Sequence, residues 1–506
     1  MVNPAMERRT FQVDEDFTLP PLRSKRGGRL GTGPVRRVRV LATYYDTDDL
    51  RLLAAGVVLR RRSGAGGDWL LRLPTGSTEH REPATAGKDP PQALRQMVTG
   101  WIGRRPLGAL LTVDTDRSAA TLVDSDGRPL IEVADDRSVA ERLGDGHVLR
   151  WRSLQLEALG AGEQLAEAVA ARLEAAGARR AREALPLDLA LAGASTSTST
   201  STGTGTGTGT GVGQPAGRSD PLRARLGCLT ADFGEQYLLV RNEAPEAIHD
   251  FRVAVRRLRS LLRTFRSLLE PEPAAALGVE LRWLGEALGR VRDAEVLEAR
   301  YGALLDAVPA DEQLGPVRAD LVGGVRQGRL AASTELADAL DSERCRALVD
   351  ALHDFAAAPP YLPGTDGTDR KALRRCVGHE LRRVERLLDD ASQAGAAERD
   401  LRLHEVRKKA KRVRYAGETL RPVAGKDARR LEKRFKAVQE VLGSRNDAVV
   451  SRRILLAEGA RSGVRPGHNG YTYGLLAERE RQSILEADAT FPDVWERARK
   501  AAARWG

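Results

Sequence analysis

Cysteine is nearly absent: Cys228, Cys345 and Cys376 are scattered through 506 residues. An odd set without ligand spacing excludes a disulfide framework and a zinc site, and reads as reduced thiols in a cytosolic protein. Aromatic residues make up only 4% of the chain, and no helix-turn-helix pattern is present, which together argue against a nucleic-acid reader. No run of about 18 apolar residues occurs, so no helix is expected to span a membrane. The opening MVNPAMERRTFQVDEDF lacks the apolar core of a secretory signal. The expected location is therefore the cytoplasm. Lysine is scarce as well, at 10 of 81 basic residues.

What is present is a globular composition, 41% hydrophobic and 30% charged, in a chain long enough for two or three domains. The net charge of +11 points toward an acidic partner. A single Arg carries little information in so Arg-rich a chain, but clustered Lys carries more. Six of the ten lysines (Lys408, Lys409, Lys411, Lys426, Lys433 and Lys436) fall in one short stretch.

Residues 195–211, STSTSTSTGTGTGTGTG, contain neither charge nor apolar side chains. They cannot bury enough surface to offset their ordering entropy and read as a flexible linker. The expected organisation is residues 1–192, a linker at 193–218, and residues 219–506. In the first part, Val35–Tyr45, Gly56–Arg62, Trp69–Leu73, Thr121–Val123, Leu130–Val133 and Val148–Glu157 are short, partly alternating segments between turn residues. They predict an antiparallel β-sheet or barrel, with a helix over Gly162–Ala178. The second part shows helical periodicity at about 220–271, 280–305, 315–356, 370–392, 400–420, 427–458 and 470–504, which predicts one helical bundle or two. The fold class is thus α+β in two domains.

Two segments of the helical part copy each other. His249-Asp-Phe-Arg252-Val-Ala-Val-Arg256-Arg257-Leu-Arg259 and His404-Glu-Val-Arg407-Lys408-Lys-Ala-Lys411-Arg412-Val-Arg414 share H-x-x-R-x-x-x-[RK]-R-[LV]-R, 155 residues apart. Leu288-Gly-Arg290-Val-Arg292-Asp293-Ala and Leu442-Gly-Ser-Arg-Asn-Asp447-Ala follow, 154 apart. Two motifs repeating in register point to a duplication. Steps of three and four place His249, Arg252, Arg256, Arg259 and Arg263 on one helix side, and His404, Arg407, Lys411 and Arg414 on another. Cations stacked this way repel one another, and an extended polyanion relieves that repulsion along its length. Arg binds phosphate oxygens bidentately, and His gains charge beside them. Asp293 and Asp447 read as structural, pairing basic residues or capping a helix, rather than catalytic. His353, His379 and His468 lie outside the repeat and carry no such reading.

At HDFRVAVRRLRSLLRTF, LRWLGEALGRVRDAEVL, LHEVRKKAKRVRYAGETL and VQEVLGSRNDAVV the chain resembles the CHAD family, conserved-histidine α-helical domains, over about residues 219–506. The resemblance implies a pair of pseudo-symmetric four-helix bundles with a basic groove for inorganic polyphosphate; the expected location then includes polyphosphate granules. It carries over to His249, Arg252, Arg256, Arg257, Arg259, His404, Arg407, Lys408, Lys411, Arg412 and Arg414, and by extension to Arg263, Arg290, Arg292, Lys433 and Lys436.

The first part resembles a CYTH domain, the triphosphate tunnel family, at Thr43-Tyr-Tyr-Asp46-Thr, Leu59-Arg60-Arg-Arg62 and Asp68-Trp-Leu-Leu71. That implies an antiparallel barrel in which Arg60, Arg62, Arg81 and Arg152 grip triphosphate. The family's E-x-E-x-K pattern holds its divalent metal, and here it is broken: Met6, Arg8 and Thr10 stand in its place, and a one-residue shift rescues only Glu7. The strand Trp151–Glu157 keeps one carboxylate. No catalytic residue and no cofactor is expected, with Mg²⁺ or Mn²⁺ needed only if hydrolysis survives. Two other readings are a metal-dependent tripolyphosphatase using Glu7, Glu132, Asp135 and Glu157, and a nucleic-acid binder. No protein partner is legible.

Overall fold

The computed structural model describes residues 8–20, 31–63, 67–73, 79–83, 87–124, 126–159, 163–181 and 220–505. The linker expected at 193–218, together with Met6 and Glu7, lies outside the described residues. The chain forms two compact units, Met1–Val98 with Arg105–Pro215 and Thr99–Arg104 with Ala216–Gly506.

The first unit is an antiparallel sheet of β1 (Arg8–Val13), β2 (Gly31–Thr32), β3 (Arg36–Asp46), β4 (Val58–Ser63), β5 (Asp68–Arg72), β6 (Glu79–Pro83), β7 (Gly108–Val123), β8 (Pro129–Arg142), β9 (Val148–Ala158) and β10 (Arg179–Ala181). The strand order is β10-β1-β9-β8-β7-β3-β4-β5-β6, with β2 beside β7. Helices α1 (Arg51–Ala54), α2 (Gln92–Ile102) and α3 (Glu163–Ala175) interrupt it.

The sheet is open, which corrects the expected closed barrel. Closure needs the end strands to pair, and among the described residues β10 and β6 each have one neighbour. Both are short and charged, and β6 ends in Pro83, which has no N–H to donate. Such strands finish a sheet rather than extend it. One face is apolar: Phe11, Ile131, Val133, Leu154 and Leu156 pack with Val169, Ala170 and Leu173 of α3. β7 and β8 run 16 and 14 residues, well past the ends of the expected segments. Their outer halves carry charge on both faces, so alternation gives no sign of them.

The second unit is helical: α4 (Pro221–Arg241), α5 (Ala247–Thr264), α6 (Pro271–Asp306), α7 (Gly324–Asp341), α8 (Glu343–Ala357), α9 (Arg370–Gln393), α10 (Ala396–Ser462) and α11 (Tyr471–Ala502). The span expected at 220–271 breaks where Glu243 and Glu246 take left-handed backbone, φ 51° and 59°. The span at 315–356 breaks at Ser342, whose hydroxyl accepts from the Cys345 N–H as an N-cap. The spans expected at 400–420 and 427–458 are two helices that double back on each other at Gly425, φ 46° and ψ −113°, a conformation open to glycine. His404 meets Asn446 and Arg414 meets Gln439 across the pair, labelled together as α10. The main core runs through α5 and α10, with Phe251, Val255, Leu258 and Leu262 from one and Val406, Ala410, Val413 and Ala416 from the other. A smaller cluster around Tyr301, Leu305, Leu455 and Tyr473 closes the far ends of α6 and α10. Among the described residues no helix is long and apolar enough to cross a membrane.

Candidate functional site

The two copies of the cation motif lie on α5 and α10, helices that pack against each other. Burying their apolar rows leaves the adjacent cation rows half-buried along the contact. At the centre Arg252 and Arg256 meet Arg407 and Lys411, four cations that act on one another electrostatically. Lys411 is only 8% exposed. Burial, and then Arg256, Arg407 and Arg252, push its ammonium down to about 6 from an ordinary 10.5, against the pull of Asp447. Burial also lowers Arg407, again against Asp447. Among the described residues neither Arg256 nor Lys411 has a carboxylate partner, and the Nε atoms of Arg256 and Arg407 are buried without a hydrogen-bond acceptor. Buried donors left open in this way are costly unless a ligand fills them.

The second repeated motif lies alongside, and its members take matching places. Arg252 Nη1 donates to Asp293 Oδ1 at 2.7 Å, and Arg407 Nη2 lies 3.9 Å from Asp447 Oδ1. A Cβ on Gly289 would sit 3.7 Å from Arg252, and one on Gly443 3.5 Å from Arg407. Each guanidinium therefore rests over a glycine. Burial and then the Arg292 cation lower the pKa of His249. His404 Nδ1 donates to Asn446 Oδ1 at 2.6 Å, since an amide oxygen can only accept. Asp293→Asn with Asp447→Asn is expected to tighten anion binding several-fold and lower stability, because the arginines then have no internal carboxylate; parallel titrations and denaturant melts check both.

The remaining sequence candidates divide. Arg259 and Arg263 join the cation row without a carboxylate partner among the described residues, and burial, Arg263 and Arg282 lower the pKa of Arg259. Arg282 is a member that sequence reading missed. Arg257 and Arg414 are drawn to Glu418, at 3.1 and 3.5 Å, and both lie over Tyr415. Arg412 lies 3.6 Å from the buried Glu380. Arg290 pairs with Glu335 at 2.8 Å and Arg292 with Glu295 at 3.0 Å. Lys408 pairs with Glu405, and Lys436 lies 3.6 Å from Glu440. Lys433 and Lys436 are exposed. The structure does not gather these last five into the centre.

In the first unit, strand register places Arg60, Arg62 and Arg81 on the face opposite α3. Arg81 Nη1 lies 3.0 Å and Arg62 Nε 3.7 Å from Asp68. Burial, followed by Arg60, lowers the pKa of Arg62, with Arg81 and Arg117 adding to it. Arg117, also unread in the sequence, holds Asp136 with two bonds of 2.8 and 2.7 Å and Gln155 with one of 2.7 Å. Glu132 and Glu157 oppose each other across β8 and β9, and Arg117 feels both. Among the described residues, carboxylates that could have held a divalent cation thus face a resident guanidinium and do not fit a metal site.

Arg152 does not join this group. Its side chain is on the other face, bonded to Asp135 at 2.9 and 2.8 Å and to the Glu15 and Phe17 carbonyls at 2.9 and 2.7 Å. All of these bonds brace the fold. Arg152→Ala is expected to cost roughly 2 kcal/mol or more by stranding Asp135, leaving phosphate binding unchanged; urea melts and titration of one preparation check this.

The CHAD domain family matches residues 226–456. The uncharacterized protein Rv2226 of Mycobacterium tuberculosis (strain H37Rv) is similar at 31% identity over 466 residues, covering 87% of this chain and 86% of its own length. PptA from Streptomyces chartreusis aligns in structure at TM-score 0.45 and 22% identity, over 55% of this chain and 97% of that one. The CHAD domain of the plant Ricinus communis aligns at TM-score 0.41 and 27% identity, over 57% of this chain and 92% of that one.

Proposed function

Because the chain carries a CHAD domain and belongs to the family of the uncharacterized mycobacterial protein Rv2226, we propose that it binds inorganic polyphosphate. The observation that carries this reading is the meeting of Arg252, Arg256, Arg407 and Lys411, with Arg256 and Lys411 lacking any carboxylate partner among the described residues. Isolated cations buried together cost free energy, and a phosphate chain supplies the counter-charge along their length. On this reading the duplicated helices form a pair of pseudo-symmetric four-helix bundles. His249, Arg252, Arg256, Arg259, His404, Arg407, Lys411 and Arg412 touch the polymer. The protein acts in the cytoplasm, at polyphosphate granules.

The first unit is, on the same reading, a CYTH-like module with a phosphate-facing surface of Arg60, Arg62, Arg81 and Arg117. Arg117 already answers Asp136, Glu132 and Glu157, so this module binds and does not hydrolyse. Calorimetric titration of the full chain with long-chain polyphosphate near physiological salt tests the proposal. Saturable binding that duplex DNA displaces poorly supports it; no binding, or equal displacement by DNA per phosphate, refutes it.

A further inference from the structure

The two flanks of the central cluster are charged differently, although they descend from one duplicated unit. With the offset of 155 residues, buried Leu222, Leu226 and Leu229 of α4 fall on buried Val377, Leu381 and Val384 of α9. The same register sets Ala224, Gly227, Cys228 and Ala231 of α4 against His379, Arg382, Arg383 and Arg386 of α9. It also sets Glu418 of α10 against Arg263 of α5.

On the flank beside α4, Glu418 is 3.1 Å from both Arg225 and Arg257 and 3.5 Å from Arg414. One carboxylate draws three cations inward, and the Tyr415 ring lies beneath two of them. Farther out, Arg421 is held by Glu432 at 2.5 Å. That exit is partly neutralised, since Asp232 also faces Arg225 and Arg257.

On the flank beside α9, a cleft of about 300 Å³ opens between the end of α5 and α9, lined by Arg263, Arg266, His379, Arg382, Arg383 and Arg386. Glu380, also at the cleft, is engaged by Arg383 at 2.7 Å and Arg412 at 3.6 Å. Among the described residues Arg263, Arg266, Arg382 and Arg386, gathered in one cleft, have no carboxylate partner. Arg412 and Arg259 bridge the centre to this cleft, since each acts electrostatically on Arg263 or on the other.

Resting on the polyphosphate reading above, we propose that the track is one-sided. A long chain leaves the central cluster past Arg259 and Arg412 into the cleft between α5 and α9, while Glu418 closes the opposite exit. The cleft is thus a second phosphate subsite that only a chain spanning both can use, and it makes the protein selective for length.

The test is titration of the full chain with long-chain polyphosphate and with tripolyphosphate. Arg266→Gln, Arg382→Gln and Arg386→Gln together remove exposed charge without a carboxylate partner from the cleft. A charge-matched control on the other flank carries Arg421→Gln, Lys433→Gln and Lys436→Gln. The cleft variant is expected to bind the long chain about tenfold or more weakly, with its salt slope reduced by roughly 2 for three lost contacts to a single strand. It should bind tripolyphosphate as before, and the control should retain its long-chain affinity. Equal loss in the control, no loss in the cleft variant, or parallel loss of tripolyphosphate overturns the one-sided track while leaving polyphosphate binding intact. Failure of the unmodified protein to bind the long chain overturns both.

Discussion

Replacing Arg256 and Lys411 with Gln is expected to weaken long-chain polyphosphate binding about hundredfold, since two charge-assisted hydrogen bonds contribute at least about 1.5 kcal/mol each. Both side chains project from the matching position of a repeated motif, and burial limits what else could take their place. The salt slope should fall by roughly 1.4, the share of two phosphate contacts on a single strand. Either substitution alone should cause most of the loss, because the two cations act on each other and their effects will not add. Exposed cations outside both the cluster and the cleft between α5 and α9, such as Lys433, should give little when neutralised. Titrations of the two single variants, the pair and Lys433→Gln at several salt concentrations check the whole set.

Lys411→Met is expected to stabilise the free protein while weakening binding. The folded state holds this ammonium near 6, whereas the unfolded chain holds it near 10.5. Between those values the unfolded chain binds the extra proton, so stability rises with pH across that window. The destabilisation from Lys411 is small near pH 10.5, grows as pH falls, and is complete below about 6. Around neutral pH it is on the order of a few kcal/mol. Removing the amine should raise the midpoint of denaturant unfolding and flatten its pH dependence between 6 and 10. A bound polyanion reverses the sign of the local field and returns the proton, so wild-type binding should take up about one proton near pH 8. Affinity should then fall as pH rises. Calorimetry in buffers of different ionisation enthalpy reads that uptake directly, and the Met variant should lose it. Burial and the Arg292 cation lower His249 as well.

Helical spacing made the cation rows legible in the sequence, and the 155-residue register paired them. The pairing of Arg252 with Asp293 and of Arg407 with Asp447 follows the same repeat. What spacing does not carry is the choice of neighbours across helices. Arg257 and Arg414 belong to the motif as fully as Arg256, yet Glu418 draws both aside, and it lies far from Arg257 in sequence. Arg282 stayed unread because it lies outside the repeated segments, although within LRWLGEALGRVRDAEVL, and Arg117 because β7–β8 register sets it. Arg152 lies in a strand beside a true candidate face, and a side chain's face depends on register alone. The open edge of the sheet depends on what β6 and β10 lack among the described residues, a second pairing partner.

The most direct test of the account is a polyphosphate titration of the full chain and of the Arg256→Gln, Lys411→Gln pair at four salt concentrations. The account predicts saturable binding by the unmodified chain, log affinity falling linearly with log salt, and a weaker, shallower line for the pair. Superimposable lines, or no binding by the unmodified chain at physiological salt, would contradict it.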